Sequence, residues 1–501
     1  MAKAMFVTKG GEYFPPMGIM QISATAKQAG HKTALTILSK EDVLAKIEKE
    51  KPHVVAYSGS TGEHKLYFEF NRELKKKHPE LITIMGGPHA TFFPERTLAD
   101  ASIDAACIGE GDYAFPQFLD RVGQGRDFSD LENIMVTEGK RPKLRPLVQD
   151  LDSLPFPDRS VFYDGGENNN NPIKHFFVTR GCPYDCTYCF NKPFRKMYPG
   201  QRYVRRRSVD NIIEEIVKVR EGGLLKYIKF YDDIFVFKAG DWLEEFAEKY
   251  SREVGLPFFC LMRANLMTKK IADLLKKAGC RAMSMSIESS NDRIRREVLK
   301  REMTSEQIKR AYKLCGERGI AIQSNNILGL PTSRIEDDIA TADFNIECGR
   351  KQGVIVMAEF GTAHPYPGTE LGKFCKERGI YDPEEGFYDM HMSYHDESPL
   401  NCFTPMEKRM QRNLTMLGTV AVRFPILRNL IVNHLIKWPT NTLFFIVFYL
   451  TKTTAYMKHI YPIGYTVKDY LRIIPQSLKL DWFKRMEGKR WKSQKQKGGN
   501  D

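Results

Sequence analysis

Short apolar runs alternate with helical patterns through the first 140 residues, and this alternation limits the folds open to the chain more than any other feature. Runs at 5–8, 33–38, 54–58, 82–85 and 105–108 are separated by helical patterns at 16–29, 42–50 and 64–77. Strand and helix in turn build βαβ units, and so a parallel sheet covered on both faces. Gly10, Gly11, Ser58, Gly59, Ser60, Gly86, Gly87, Gly109 and Gly111 fall where those strands would end. Open α/β sheets bind ligands at that edge, although ordinary tight turns use the same residues.

The segment LDSLPFPD (151–158) and the Asn-rich 164–172 read as a crossing linker over 146–172, leaving an N-terminal domain over 1–145. A second alternating region follows. Strands are expected near 176–179, 227–231, 258–262, 283–287, 320–327 and 354–360, with helices near 209–221, 242–250, 269–278, 305–318 and 335–348. Six strand–helix repeats over 173–375 predict an open, partial (β/α)6 TIM barrel with its chemistry at the C-terminal strand ends. Past Cys375 the alternation stops. Residues 376–483, with an amphipathic stretch at 423–437, are expected to form a mostly helical third domain. Residues 484–501, with seven Lys or Arg against two acids, are expected to form a disordered basic tail.

At 42% hydrophobic and 28% charged, the 501-residue chain is neither wholly disordered nor a multi-span membrane protein. Its net charge of +14 and the run Arg202, Arg205, Arg206, Arg207 open a reading as a nucleic-acid-binding iron–sulfur protein. Guanidinium forks suit phosphates and carboxylates of small molecules equally well, and no RNA-binding signature is present. The N-terminus carries no charged-then-apolar leader, so the chain is expected in the cytoplasm. The apolar run 443–450 is too short to span a bilayer and allows at most peripheral membrane contact or a lipid-like substrate. Cys107, Cys260, Cys280, Cys315, Cys348, Cys375 and Cys402 are scattered and are expected as buried thiols.

Cys182, Cys186 and Cys189, in RGCPYDCTYCFN, are different. They form a CxxxCxxC run directly after the first strand of the second region. Three thiolates on one loop can hold three irons of a 4Fe-4S cluster and leave the fourth open to a small molecule. A zinc site would want a fourth Cys or His close by, and the run supplies none. On this motif and its barrel the chain resembles the radical S-adenosylmethionine (SAM) enzymes. The resemblance implies that the methionyl group of SAM chelates the open iron, and that reductive cleavage, fed by an external low-potential electron donor, gives a 5′-deoxyadenosyl radical. It also implies SAM contacts for Tyr188, Asp232, Asp233, Arg263, Glu288, Ser324 and Asn326. Glu288 suits the ribose diol because a carboxylate accepts two hydrogen bonds; a surface Glu paired with Arg263 is the alternative. HPYPGTEL (364–371) resembles a turn of the family's cobalamin-linked branch.

That branch carries an N-terminal cobalamin-binding domain, and PPMGIMQISATAKQAGH, SGST, GGPHAT and GEGD occur in its order. A flavodoxin-like regulatory domain is the rival. By this resemblance Pro15, Gly18, Ser58, Ser60, Gly86, Gly87, His89, Gly109, Glu110 and Gly111 would contact cobalamin. The position of the lower-ligand histidine falls on Pro15, and that of its aspartate partner on Tyr13. Proline has no ring nitrogen to offer a metal, so the nucleotide tail should lie in a groove lined by Ser58, Ser60, Gly86 and Gly87, the lower face unligated. His64 and His89 are nearby substitutes if they are not simply exposed residues of a helix start or turn. The resemblance implies hydrogen abstraction and methyl transfer from methylcobalamin to an unactivated carbon of a small molecule. Cyclisation or oxidative rearrangement of a tetrapyrrole-like substrate, as in the anaerobic magnesium-protoporphyrin ester cyclase branch, is the second reading.

Overall fold

The computed structural model describes residues 1–10, 15–137, 139–163, 171–386, 396–471 and 473. Gly11, Tyr13, the Asn-rich 164–170 and the basic tail lie outside the described residues. The chain divides into two compact units.

The first unit comprises 1–171, 178–183 and 193–225. It contains β1 (Lys3–Thr8), β2 (Lys32–Ile37), β3 (Val54–Ser58), β4 (Ile82–Gly86), β5 (Ala105–Cys107) and β6 (Ile134–Val136). They form one sheet in the order β2-β1-β3-β4-β5-β6, parallel except for the β5–β6 pair. Helices Met17–Gln28, Val43–Glu50 and His64–Lys77 make the crossovers. Phe6, Ile19, Val54, Ile84, Phe115 and Phe118 belong to its core. The expected linker is part of this unit: Leu147, Val148, Leu151 and Leu154 are buried. Its prolines break helix without exposing the chain, because an apolar residue between them still gains by burial.

The chain continues through β7 (Ile173–Phe176), the two-residue strands β8 (Thr179–Arg180) and β9 (Arg205–Arg206), β10 (Tyr227–Phe230), β11 (Phe258–Leu261), β12 (Cys280–Ser284), β13 (Ala321–Leu328) and β14 (Val356–Thr362). Strands β8 and β9 pair as an antiparallel ribbon in the first unit. The second unit holds the six-stranded parallel sheet β14-β13-β12-β11-β10-β7. Helices Lys269–Ala278 and Ser305–Gly316 begin on Thr268 and Thr304, whose hydroxyls cap them. Strand β7 begins three residues before the expected 176–179, and β12 three before 283–287. In both places the apolar run continues past the ladder into the loop that carries functional residues.

The C-terminal segment is mostly helical and falls within the second unit. Helix Pro405–Arg423 packs on β14, with the Thr419 hydroxyl donating to the carbonyl of Ala358 at 2.9 Å. The tract Ala455–Ile463 packs against Tyr227, Phe259, Ala282, Ala321 and Met357 on the inner face of the sheet. The stretch 423–437 is broken into a 3-10 turn, the short helix Arg428–Asn433 and a second turn, because Pro425 interrupts it. The long C-terminal helices are Pro405–Arg423 and Thr442–Ala455. Among the described residues no helix is long and apolar enough to cross a membrane.

Candidate cofactor sites

All ten cysteines are free. Cys402, expected to be buried, is exposed. Among the described residues no three His, Cys, Asp or Glu side chains converge as a metal site requires. Cys186 and Cys189 are nevertheless set among donors that suit sulfur ligands. Arg263 donates from Nη1 to the Cys186 sulfur at 3.3 Å, donates from Nε to Asn265 at 3.1 Å, and stacks on Tyr184 at 3.7 Å. Asn191 donates to the Cys189 sulfur at 3.6 Å. Burial pushes the Cys189 thiol up from its usual value, so iron would replace a proton there rather than capture a ready thiolate.

The two adjacent acids of KFYDDIF separate. Asp233 lies beside Asn191 and Cys189, and burial by the surrounding protein raises its carboxyl above the usual range. Asp232, also in the loop past β10, is buried, and its charge is felt by Cys260.

Glu288 is buried and does not pair with Arg263. It accepts from the Tyr188 hydroxyl at 3.0 Å and lies 3.7 Å from Arg301, which donates to that hydroxyl at 3.1 Å. At φ +65° Glu288 sits in the left-handed region, strain a packed site must hold. Tyr188 packs with Ile294, Leu299, Ile327 and Ala363, an apolar slot beside a carboxylate that fits a nucleoside. Ser324 and Asn326 are buried on the helix-covered face of β13. Asn326 turns outward, its side chain accepting from Asn345 at 3.0 Å, and Ser324 is fully buried on that face. Sequence reasoning missed Arg301, Asn191 and Asn265. A pattern search has no handle on Arg301, which comes from the LKREM segment between elements.

In the first unit, β3 and β4 end in loops latched together: the Gly59 amide donates to Gly86 and the His89 amide to Gly59. Gly87, at φ +87°, is required because a Cβ there would stand 3.0 Å from the Gly59 carbonyl and the Ser58 hydroxyl. Ser58 is exposed, while Ser60, Gly86 and Gly87 are half-buried. Gly18 is open, nothing lying within 4 Å of a Cβ. Pro15 is buried, and its carbonyl accepts from the Met17 amide. This cradle of small residues fits a bulky, flat ligand with a nucleotide tail.

His64 and His89 are neither exposed nor presented as metal ligands. Both are fully buried and stacked, ring centres 3.9 Å apart, with Thr61 bonded to Nδ1 of His89 and the Gly62 amide donating to Nδ1 of His64. Burial holds His89 neutral, down to about 2.

Glu110 is an ion-pair anchor within the first unit. Arg205 donates to both its oxygens at 2.9 Å, the Val148 amide donates at 3.0 Å, and Arg180 stands 3.3 Å away. Arg180 forks onto Asp112 at 2.8 and 2.9 Å. Of the arginines weighed for anion binding, Arg207 is spent on Glu215 and Asn211 and Arg202 on the Gln149 carbonyl. Glu110, the partner of Arg205, lies 95 residues away in sequence, so that arginine looked unpaired.

Residues 176–344 match the model of the Radical SAM superfamily, and residues 4–119 that of the B12 binding domain. An uncharacterized methyltransferase of Pyrococcus horikoshii is 26% identical over 72% of this chain and 78% of its own. The cytidylyl-2-hydroxyethylphosphonate methyltransferase of Streptomyces wedmorensis is 25% identical over 62% and 64%. The anaerobic magnesium-protoporphyrin IX monomethyl ester cyclase of Rubrivivax gelatinosus is 26% identical over 64% and 60%. The chain thus spans under two thirds of the latter two relatives. Among solved structures, the cobalamin-dependent SAM radical enzyme OxsB superposes with a TM-score of 0.68 over 96% of this chain and 75% of that one, at 14% identity. The radical SAM methyltransferase TsrM of Kitasatospora setae gives 0.62 over 75% and 76%, at 16%. At that identity the likeness is one of fold. One chain thus carries a B12-binding domain match followed by a radical SAM domain match.

Proposed function

We propose that this protein is a cobalamin-dependent radical SAM methyltransferase acting on an unactivated carbon of a small molecule. The observation that carries the reading is the presence in one chain of the B12-binding match over 4–119 and the radical SAM match over 176–344. When bound, the cluster with SAM supplies a 5′-deoxyadenosyl radical and cobalamin a methyl group; the protein's part is to position and enclose them.

Cys182, Cys186 and Cys189 would hold the cluster, with Arg263 and Asn191 donating to two of the sulfurs. Glu288, with its partners Tyr188 and Arg301, would accept the ribose hydroxyls, and Asp233 the methionyl ammonium. Gly18, Ser58, Ser60, Gly86, Gly87, Gly109 and Gly111 would let cobalamin approach the backbone. Hydrogen abstraction by a radical needs no side-chain base, so none is assigned. An external low-potential donor would supply the electron.

The test is to incubate the anaerobically reconstituted protein with cobalamin, reductant and SAM bearing a CD3 group, and to weigh the corrinoid. CD3-cobalamin with S-adenosylhomocysteine supports methyl transfer. Bound cobalamin that stays unmethylated while 5′-deoxyadenosine accumulates favours the second reading, a cyclase-like oxidation, which the named cyclase relatives motivate.

A further inference from the structure

The inner face of the barrel sheet is polar where a structural core would be apolar. Lys229 on β10 is in register with His175 on β7 and Phe259 on β11; Ser284 on β12 with Gln323 on β13; and Asn325 with Glu359 on β14. Phe259 faces the C-terminal tract, so the alternation of each strand puts its register partners on that same face. The face is partly open: Lys229, His175, Phe259 and Ser284 are buried, and the exposure lies toward β13 and β14. Along β13 the outward residues Ile322, Ser324, Asn326 and Leu328 are buried, whereas the inward Gln323, Asn325 and Ile327 are half-exposed. Glu359 and Lys452 retain 24% and 28% of their side-chain exposure.

Within this space two ammonium groups share one carboxylate. Lys452, from helix Thr442–Ala455, bonds Glu359 at 3.1 Å, and the Tyr456 hydroxyl donates to the other oxygen. Lys229 also feels the charge of Glu359. It lies over the rings of Tyr231, Phe259 and Tyr461 at 4.7, 5.5 and 5.5 Å. Those rings orient its ammonium by cation–π attraction. With both lysines protonated the trio carries a surplus positive charge in a confined space, where an anion is favoured more than in water.

We propose that the barrel interior is the substrate site and that Lys229 and Lys452 hold an oxyanion of the substrate, a carboxylate or phosphoryl group, with Glu359 and Tyr456 positioning the lysines. This rests on the proposed function for the existence of a substrate in the barrel, and it names that substrate's class. A lipid lacking an anionic head does not fit such a lining.

The test is competitive acetylation of lysines in the full chain, read residue by residue by mass spectrometry, alone and with succinate, inorganic phosphate or neutral succinamide. Burial brings Lys229 down to about 8, Glu359 opposing and Lys452 reinforcing that, so its amine reacts at mildly alkaline pH while an exposed lysine serves as the standard. At an anion concentration about ten times the half-protecting one, Lys229 acetylation is expected to fall about tenfold, with no effect of succinamide. Protection by succinate alone identifies a carboxylate site, by phosphate alone a phosphoryl site, and by both an unselective oxyanion site. Glu359→Gln, which keeps the Tyr456 bond and removes the shared negative charge, is expected to lower the half-protecting concentration severalfold. The proposal is overturned if neither anion protects Lys229, if succinamide protects equally, or if Lys229 does not react in their absence. Labelling needs neither SAM nor turnover, so its failure leaves methyl loading from CD3-SAM untouched, and failure of methyl loading leaves the anion site standing.

Discussion

Arg205 grips Glu110 with two parallel hydrogen bonds of 2.9 Å each, across 95 residues of sequence. The guanidinium is almost wholly buried and the carboxylate largely so. Removing one partner strands the other in a dry environment, which costs about 3–5 kcal/mol. Arg205→Met and Glu110→Gln are each expected to lower the unfolding free energy measured in urea by that order, and the double variant to cost less than the sum of the two. Additive losses would show that the pair is not coupled.

Gly18 and Gly109 belong to the same proposed cofactor edge but differ in what surrounds them. Gly109 sits at φ +80°, and a Cβ there would overlap the Tyr198 hydroxyl; Gly18 is open. Gly109→Ala is expected to cost at least about 1–3 kcal/mol through strain and crowding, and to weaken cobalamin retention on gel filtration. Gly18→Ala should leave stability within about 0.5 kcal/mol of the parent.

Arg263 sends a charged N–H to the Cys186 sulfur. Hydrogen bonds to cluster sulfurs and nearby positive charge both favour the reduced cluster. Arg263→Met is therefore expected to retain iron but to titrate at a more negative potential, read by electron paramagnetic resonance. Cys186→Ala should lose iron outright. An unchanged potential in Arg263→Met would remove Arg263 from the cluster's surroundings.

Asp338 is buried beneath the Gly329 amide, and burial raises its carboxyl to about 8 despite the bonds from Gly329 and Gln411. A raised folded pKa means the folded state holds a proton that the unfolded chain releases near pH 4, so stability falls as pH rises from about 4 to about 8. Asp338→Asn removes that slope, about 1.4 kcal/mol per pH unit at most. Denaturant midpoints of parent and variant should diverge with increasing pH, the variant gaining.

Asp112 works in the opposite direction. Burial would raise it, but the Arg180 fork outweighs burial and holds it below the ordinary carboxylate range. Its contribution is present above the unfolded value near 4 and is lost as pH falls through the folded one. Asp112→Asn should therefore blunt acid unfolding, seen as a smaller drop in melting temperature between neutral and acid pH.

Strand and helix order was legible because burial imposes periodicity on the sequence. Helices His64–Lys77, Val209–Glu221 and Lys269–Ala278 begin and end where their patterns do. The CxxxCxxC run was legible because sulfur ligands on one loop leave a local spacing. What alternation decides inside a functional segment was harder to read. SNN in β13 places equally suitable residues side by side, and only the register of the sheet sets Asn325 in line with Glu359. Long-range pairs such as Glu110 with Arg205 and Tyr188 with Glu288 leave no trace in local pattern.

Strand β13 is sealed by helices on one side, while Gln323 and Asn325 on the other are half-exposed. Substitutions at Gln323 or Asn325 therefore disturb less packing than changes at Ser324 or Asn326, which strike the seal. A lineage built on this barrel can exchange one substrate for another through inward positions alone, drifting in chemistry while its thermodynamic scaffold stays under separate selection.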